Sequence, residues 1–204
     1  MTDFNARAKD WDSDPMKVDR AQTVAQAIRA ALPLQPGLTA LEIGCGTGLL
    51  SFFLQADFAD ITLADTSDGM LSVLAAKIAA SGVSNLLPLK LDLTTDPLPA
   101  ARFDATYSLM TLHHIPETEA ILRQFAGLLN PGGWLAIADL DAEDGSFHTD
   151  GTTDVHLGFA REKLQKQVEA AGFGQVKFST AYVIQKNGRK YPVFLLTAKL
   201  EQNF

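Results

Sequence analysis

The chain has 204 residues, 47% of them hydrophobic, and a net charge of −7, which fits one compact domain with a substantial core. The charge is uneven: residues 33–150 hold 4 Lys/Arg against 15 Asp/Glu, residues 151–204 hold 8 against 4, and a nucleic-acid partner, which needs gathered Lys and Arg, is not expected. There is no apolar run of ~18 residues and no cationic leader before an apolar stretch, so the expectation is a soluble, cytoplasmic protein without a membrane partner, and the single cysteine excludes an internal disulfide.

In chain order, residues 1–14 are polar but include Phe4 and Trp11. From Val18, the residues Ala21, Val24, Ala25, Ile28 and Leu32 recur at three- and four-residue steps, which predicts a helix ending before Pro33. Pro36-Gly37 signals a turn, and Leu38 to Ile43 reads as a buried first strand. The run Gly44-Cys45-Gly46-Thr47-Gly48 then bends the chain into a second apolar stretch, Leu49 to Leu54, of helical character. Ile61, Leu63 and Asp65 alternate as a second strand that ends in an acid, followed by helical composition from Ser67 to Ala80. Leu86 to Leu91 is the third strand, with Asp92-Leu93 at its end. Phe103 to Leu109, with Ser108 near its end, is the fourth, followed by Leu112-His113-His114-Ile115-Pro116-Glu117 and a helix carrying Ile121, Leu122, Phe125, Leu128 and Leu129. Asn130-Pro131-Gly132-Gly133 breaks the chain before a fifth strand, Trp134 to Ala138, that leads into Asp139.

This repeating β-α order predicts an α/β protein: a Rossmann-like, doubly wound sheet, mostly parallel and covered on both faces. Asp139 to Thr153 is a long irregular segment in which Asp139, Asp141, Glu143 and Asp144 read as a solvated acidic loop, no histidine having metal-ligand spacing to them. A helix from about Ala160 to Ala171 stops at Gly172. Val176 to Gln185 and Tyr191 to Lys199 then bracket Asn187-Gly188, a strong hairpin signal, which brings the count to seven strands with an antiparallel C-terminal hairpin.

Glycines between a strand end and a helix start allow a ligand to approach the main chain. A dinucleotide site spaces them G-x-G-x-x-G, whereas here the spacing is G-x-G-x-G with Glu42 two residues before the first. Glu42 together with Gly44-Cys45-Gly46-Thr47-Gly48 resembles the first motif of the class I S-adenosylmethionine-dependent methyltransferases, small-molecule type with the core fold alone. The likeness extends from about Val18 to the end of the chain. It implies S-adenosylmethionine as cofactor, with Glu42, Gly44, Cys45, Gly46 and Gly48 at its methionine part. Asp65, seventeen residues beyond Gly48, would sit at the ribose hydroxyls. Thr66 and Met70 would lie near ribose and adenine, Asp92 and the Leu93 amide at the adenine, and Ser108 at the strand-end cleft.

Each role has a plainer alternative. Cys45 suits a small buried residue, Asp65 a helix-capping acid, and Asp92 a turn cap. Within a single domain, 1–32 reads as N-terminal lid segment and helix, 38–139 as the cofactor-binding β-α core, and 140–204 as acceptor-side loop, helix and hairpin. Residues 1–16, the loop after Asp139 and the Asn187-Gly188 hairpin are the expected lid. Trp11 either faces the sulfonium or staples the first helix.

The reaction such a site supports is in-line methyl transfer to a small neutral or anionic acceptor, catalysed mainly by alignment and exclusion of water. If the acceptor must lose a proton, His113 is the expected base and His148 the reserve. His113 and His114 would diverge on an extended loop, leaving His114 to pack or cap. A non-catalytic cofactor-binding subunit, transfer of a group other than methyl, and an NAD oxidoreductase are the competing readings.

Overall fold

The computed structural model describes residues 4–148 and 155–202. The elements are α1 (Phe4–Arg7), a 3₁₀ segment (Ala8–Ser13), α2 (Pro15–Ala31), β1 (Thr39–Ile43), α3 (Leu49–Leu54), β2 (Asp60–Asp65), α4 (Asp68–Ser81), β3 (Leu86–Lys90) and β4 (Phe103–Leu109). They continue with a 3₁₀ turn (Leu112–His114), α5 (Thr118–Leu128), β5 (Leu129–Leu140), α6 (Arg161–Ala170), β6 (Phe173–Lys186) and β7 (Arg189–Leu200). Seven strands form one sheet in the order β3-β2-β1-β4-β5-β7-β6, in which β7 alone runs against the rest.

Strand alternation sorts the core into two layers. Leu41 and Ile43 of β1 and Leu135 and Ile137 of β5 face α5 and α6, where they meet Leu122, Phe125, Leu164 and Val168. Ala40, Ala105, Ala136 and Ala138 face the other way, toward Val24, Ala25 and Ile28 of α2 and Leu50 and Leu54 of α3. Small residues on that side let the first helices lie close against the sheet.

Local signals set the helix ends. Asp14 caps α2 by accepting from the Met16 amide at 3.0 Å, and Pro15 stands in the first turn, where its missing N–H leaves no bond unmade. Ser67 caps α4 by accepting from Met70, and Gly82 closes it at φ 70°. The hairpin turn places Asn187 and Gly188 at φ 54° and 73°, the paired left-handed geometry that Asn-Gly favours.

The stretch after the glycine loop is α-helical over Leu49–Leu54, the run expected, and then tightens into a 3₁₀ turn at Gln55–Asp57. Two expectations change. The Asn130-Pro131-Gly132-Gly133 break lies inside β5 rather than before it: Leu129 already pairs with Phe103, and the register resumes at Ala105 with Trp134. The acids from Asp139 onward do not form a solvated loop. Asp139 is fully buried, Asp141 holds Arg161 through both oxygens at 2.7 Å, Glu143 accepts from the Phe147 amide, and the exposed Asp144 pairs with Arg189.

Candidate cofactor and acceptor site

The three loop glycines all have positive φ, 66° at Gly44, 54° at Gly46 and 78° at Gly48, but for different reasons. A Cβ on Gly44 would lie 2.3 Å from Thr111 of the loop after β4, and one on Gly48 would lie 2.6 Å from Leu74 of α4. A Cβ on Gly46 would meet nothing closer than Met70 Sδ at 3.8 Å and Trp11 Nε1 at 4.0 Å. Packing demands glycine at the outer two positions, whereas the middle one opens onto a space that a ligand can fill.

Asp65, at the end of β2, braces this loop. One carboxylate oxygen accepts from the Gly46 amide at 2.7 Å and the other from the Ser67 amide at 2.8 Å. Each oxygen keeps a further lone pair for a ligand hydroxyl. Met70 is buried beside the loop, while Thr66 is exposed and its carbonyl accepts from Lys90. Asp92 caps its own turn through the amide and hydroxyl of Thr94 at 2.9 and 2.6 Å, which is the plainer of its two roles, and Leu93 is buried in the core.

Two motif side chains turn away from the loop's open side. Cys45 is buried among α2 and α3 residues, so that only its main chain borders the site; burial raises its thiol pKa well above the usual value. Glu42 is 2% exposed beneath α3, where Ser51 Oγ donates to it and stands 2.7 Å from the Tyr107 hydroxyl. Burial is the main cause that pushes Glu42 up to about 8; the Ser51 bond pulls the other way and Asp65 adds to the rise.

The N-terminal segment lies across the loop. Asp12 accepts from the Thr47 hydroxyl and from Lys77 Nζ at 2.5 Å, and Lys77 also donates to the Thr47 carbonyl. Asn5 accepts from the Ser67 hydroxyl and the Gly69 amide, both at 2.8 Å. Trp11 is held between Phe4, at 6.0 Å edge-on, and the Lys17 ammonium at 4.1 Å, so stapling and cover of the loop are combined in one side chain.

The histidines stand at the other end of this cover. Because Leu112–His114 is a 3₁₀ turn and not extended, the His113 and His114 rings do not diverge: their centroids are 4.1 Å apart, with His148 at 5.3 and 5.8 Å. Phe4 packs edge-on to His114 at 5.3 Å and so joins this cluster to Trp11. His113 is buried, with Nδ1 2.7 Å from Asp139 Oδ1. The His113 and Leu140 amides also donate to that carboxylate, at 3.2 and 2.7 Å. A carboxylate gathering N–H donors makes Nδ1 a donor too and leaves Nε2 with the lone pair. His156 fastens the following segment: its amide donates to the His113 carbonyl, and its Nε2 lies 3.0 Å from the Ile115 carbonyl.

The sequence placed Asp139 at the end of the fifth strand, but its direct pairing with His113 was not read. Ser51 and Tyr107 under Glu42, and Arg20 on α2, were missed as well, because none of these contacts is local in sequence. Ser108 is buried at the end of β4 with its hydroxyl unpaired among the described residues.

Sheet order, glycine loop and strand-end acid together define a nucleotide-cofactor fold with the S-adenosylmethionine register rather than the dinucleotide one. The fold is that of the class I S-adenosylmethionine-dependent methyltransferases, and residues 40–133 match the family model described as a methyltransferase domain. It is 32% identical over 141 residues to the ubiquinone biosynthesis O-methyltransferase of Xanthomonas axonopodis pv. citri, covering 67% of this chain and 58% of that one. The phosphoethanolamine N-methyltransferase 2 of Haemonchus contortus, solved with S-adenosyl-L-methionine, superposes with a TM-score of 0.75 at 14% identity, over 99% of this chain and 61% of that one. The [4+2]-cyclase SpnF superposes at 0.73 with 19% identity, over 88% and 81%. At these identities the two structures speak to fold alone. The chain spans about half the length of the curated relatives it matches.

Proposed function

We propose that the protein transfers a methyl group from S-adenosylmethionine to a hydroxyl of a small-molecule acceptor, with His113 as the base. When bound, the cofactor supplies a methyl carbon on a sulfonium, which departs as a neutral thioether. Gly46 and Asp65 would hold it, with Met70, the Leu93 main chain and Trp11 around it, and Asp92 reaching it only if its turn opens. Glu42 would act from beneath the loop, setting the loop's shape through Ser51.

The observation that carries the reading is the linkage of the two halves of the site: Thr111 lies against Gly44, and two residues on His113 is fixed by Asp139. That pairing orients the imidazole so that Nε2 can take the proton an acceptor hydroxyl loses as its oxygen bonds to the methyl carbon. His148 stands beside it in reserve. The strap from Phe4 to Trp11 would keep water from the reacting centre. Likeness to an O-methyltransferase supports oxygen as the acceptor atom.

The test is methyl transfer from labelled cofactor to a panel of small phenols and hydroxy acids, followed by turnover of His113→Ala and His148→Ala at saturating cofactor across pH ~5.5 to 8.5. His113→Ala is expected to lose roughly a hundredfold or more and the acid limb of the profile. Full activity with an unchanged profile in both variants would reduce catalysis to alignment.

A further inference from the structure

Arg20, on the second turn of α2, is half-buried, and its Nε is wholly buried with no hydrogen-bond partner. A guanidinium carries five N–H donors and no acceptor, so burying one unmatched is costly unless something outside the chain completes it. The helix packs against β6 and β7, and the charged or polar groups that act on Arg20 are Tyr182 of β6, Asp14 at the head of α2, and Asp139 at the carboxyl end of β5.

Each of these is engaged elsewhere. Tyr182 donates to Asp19 at 2.8 Å, Asp14 caps α2 and lies 3.4 Å from Lys17, and Asp139 is bound by His113 and Leu140. Burial lowers the Arg20 pKa, and these neighbours raise it without reversing the shift. The cation therefore stands within the field of the residue that fixes His113, with its Nε donor unmatched.

We propose that Arg20 is the anchor for an anionic group, a carboxylate or a phosphate, on the methyl acceptor. This rests on the small-molecule transfer reading and narrows it from a neutral or anionic acceptor to an anionic one. The planar fork suits either group through two parallel N–H bonds, and Lys would supply charge without that geometry.

The test uses the full chain saturated with S-adenosylhomocysteine and titrated by calorimetry with benzoate, phenyl phosphate and phenol. Wild type is expected to bind one or both anions at least tenfold tighter than phenol. Arg20→Met should lose roughly ten- to a hundredfold for the anion with phenol unchanged, and Arg20→Lys should fall between. Benzoate alone would indicate a carboxylate acceptor, phenyl phosphate alone a phosphate, and both the shared site. No anion preference in wild type, or a preference that survives in Arg20→Met, overturns the anchor. If Arg20→Met does not fold, by circular dichroism, Arg20→Lys decides: unchanged anion affinity there counts against the fork. Anion binding that depends on Arg20, without label transfer to any hydroxybenzoate or phenol, would overturn the transfer reading and leave the anchor in place.

Discussion

At the scale of residues, the glycine loop separates packing from function. Gly44→Ala puts a Cβ into Thr111 at a left-handed φ, so it should destabilise the protein by about 1–3 kcal/mol, read as a lower midpoint in denaturant. Gly46→Ala shares the left-handed φ but meets only ordinary contacts, Met70 Sδ at 3.8 Å and Trp11 Nε1 at 4.0 Å; its cost in stability should be smaller and its cost in cofactor affinity larger, and equal effects of the two changes would remove the distinction. Glu42 gives a pH prediction. Its folded pKa of about 8 lies above the ordinary 4.5, so the folded state binds the proton more tightly and stability falls as pH rises from about 4.5 to about 8. Glu42→Gln keeps an acceptor for Ser51 and should abolish that fall: little difference from wild type at pH 5, a gain at pH 8. Parallel unfolding free energies across that range would mean that Glu42 is ionised in the fold. The motif made Glu42 legible as a site acid; its direction was not, because Ser51 and Tyr107 lie nine and sixty-five residues away.

At the scale of elements, period and punctuation were enough for most of the fold. The three- and four-residue apolar steps of α2, the alternation in β2 and the Asn-Gly turn each name a local geometry that the sheet then uses. Where the outcome depended on contacts across the chain, the reading was incomplete. The His113-His114 stretch looks extended but is drawn into a 3₁₀ turn in which His113 bonds to Asp139, and the Asn130 to Gly133 excursion is absorbed into β5 because its flanks already pair with β4. The N-terminal strap is a testable element. Lys77 ties Asp12 and the Thr47 carbonyl together, so Lys77→Met should loosen the strap from the loop. Faster cleavage before α2 in limited proteolysis and severalfold weaker cofactor binding are expected. Cleavage and affinity both unchanged would mean that Asn5, the Thr47 hydroxyl on Asp12 and the Phe4-His114 contact hold the strap without Lys77.

At the scale of the molecule, the carboxyl ends of the parallel strands gather what the chain disperses: Gly46 after β1, Asp65 at the end of β2, Ser108 on β4, Asp139 on β5. Doubly wound topology does this for any sequence that adopts it, which is why these residues could be placed at one end of the sheet without a structure. The proposed acceptor side, at α2, the histidine turn and the chain after β5, has no such rule and rests on tertiary packing. The central claim is that this cleft is an S-adenosylmethionine site whose ribose acid is Asp65. Calorimetric titration of S-adenosylmethionine and S-adenosylhomocysteine into wild type and Asp65→Ala tests it most directly, with NAD as the control. Saturable one-to-one binding of both ligands to wild type, none of NAD, and a roughly ten- to hundredfold loss in the variant are expected. Unchanged affinity in Asp65→Ala, or binding of NAD in place of the sulfonium cofactor, would contradict it.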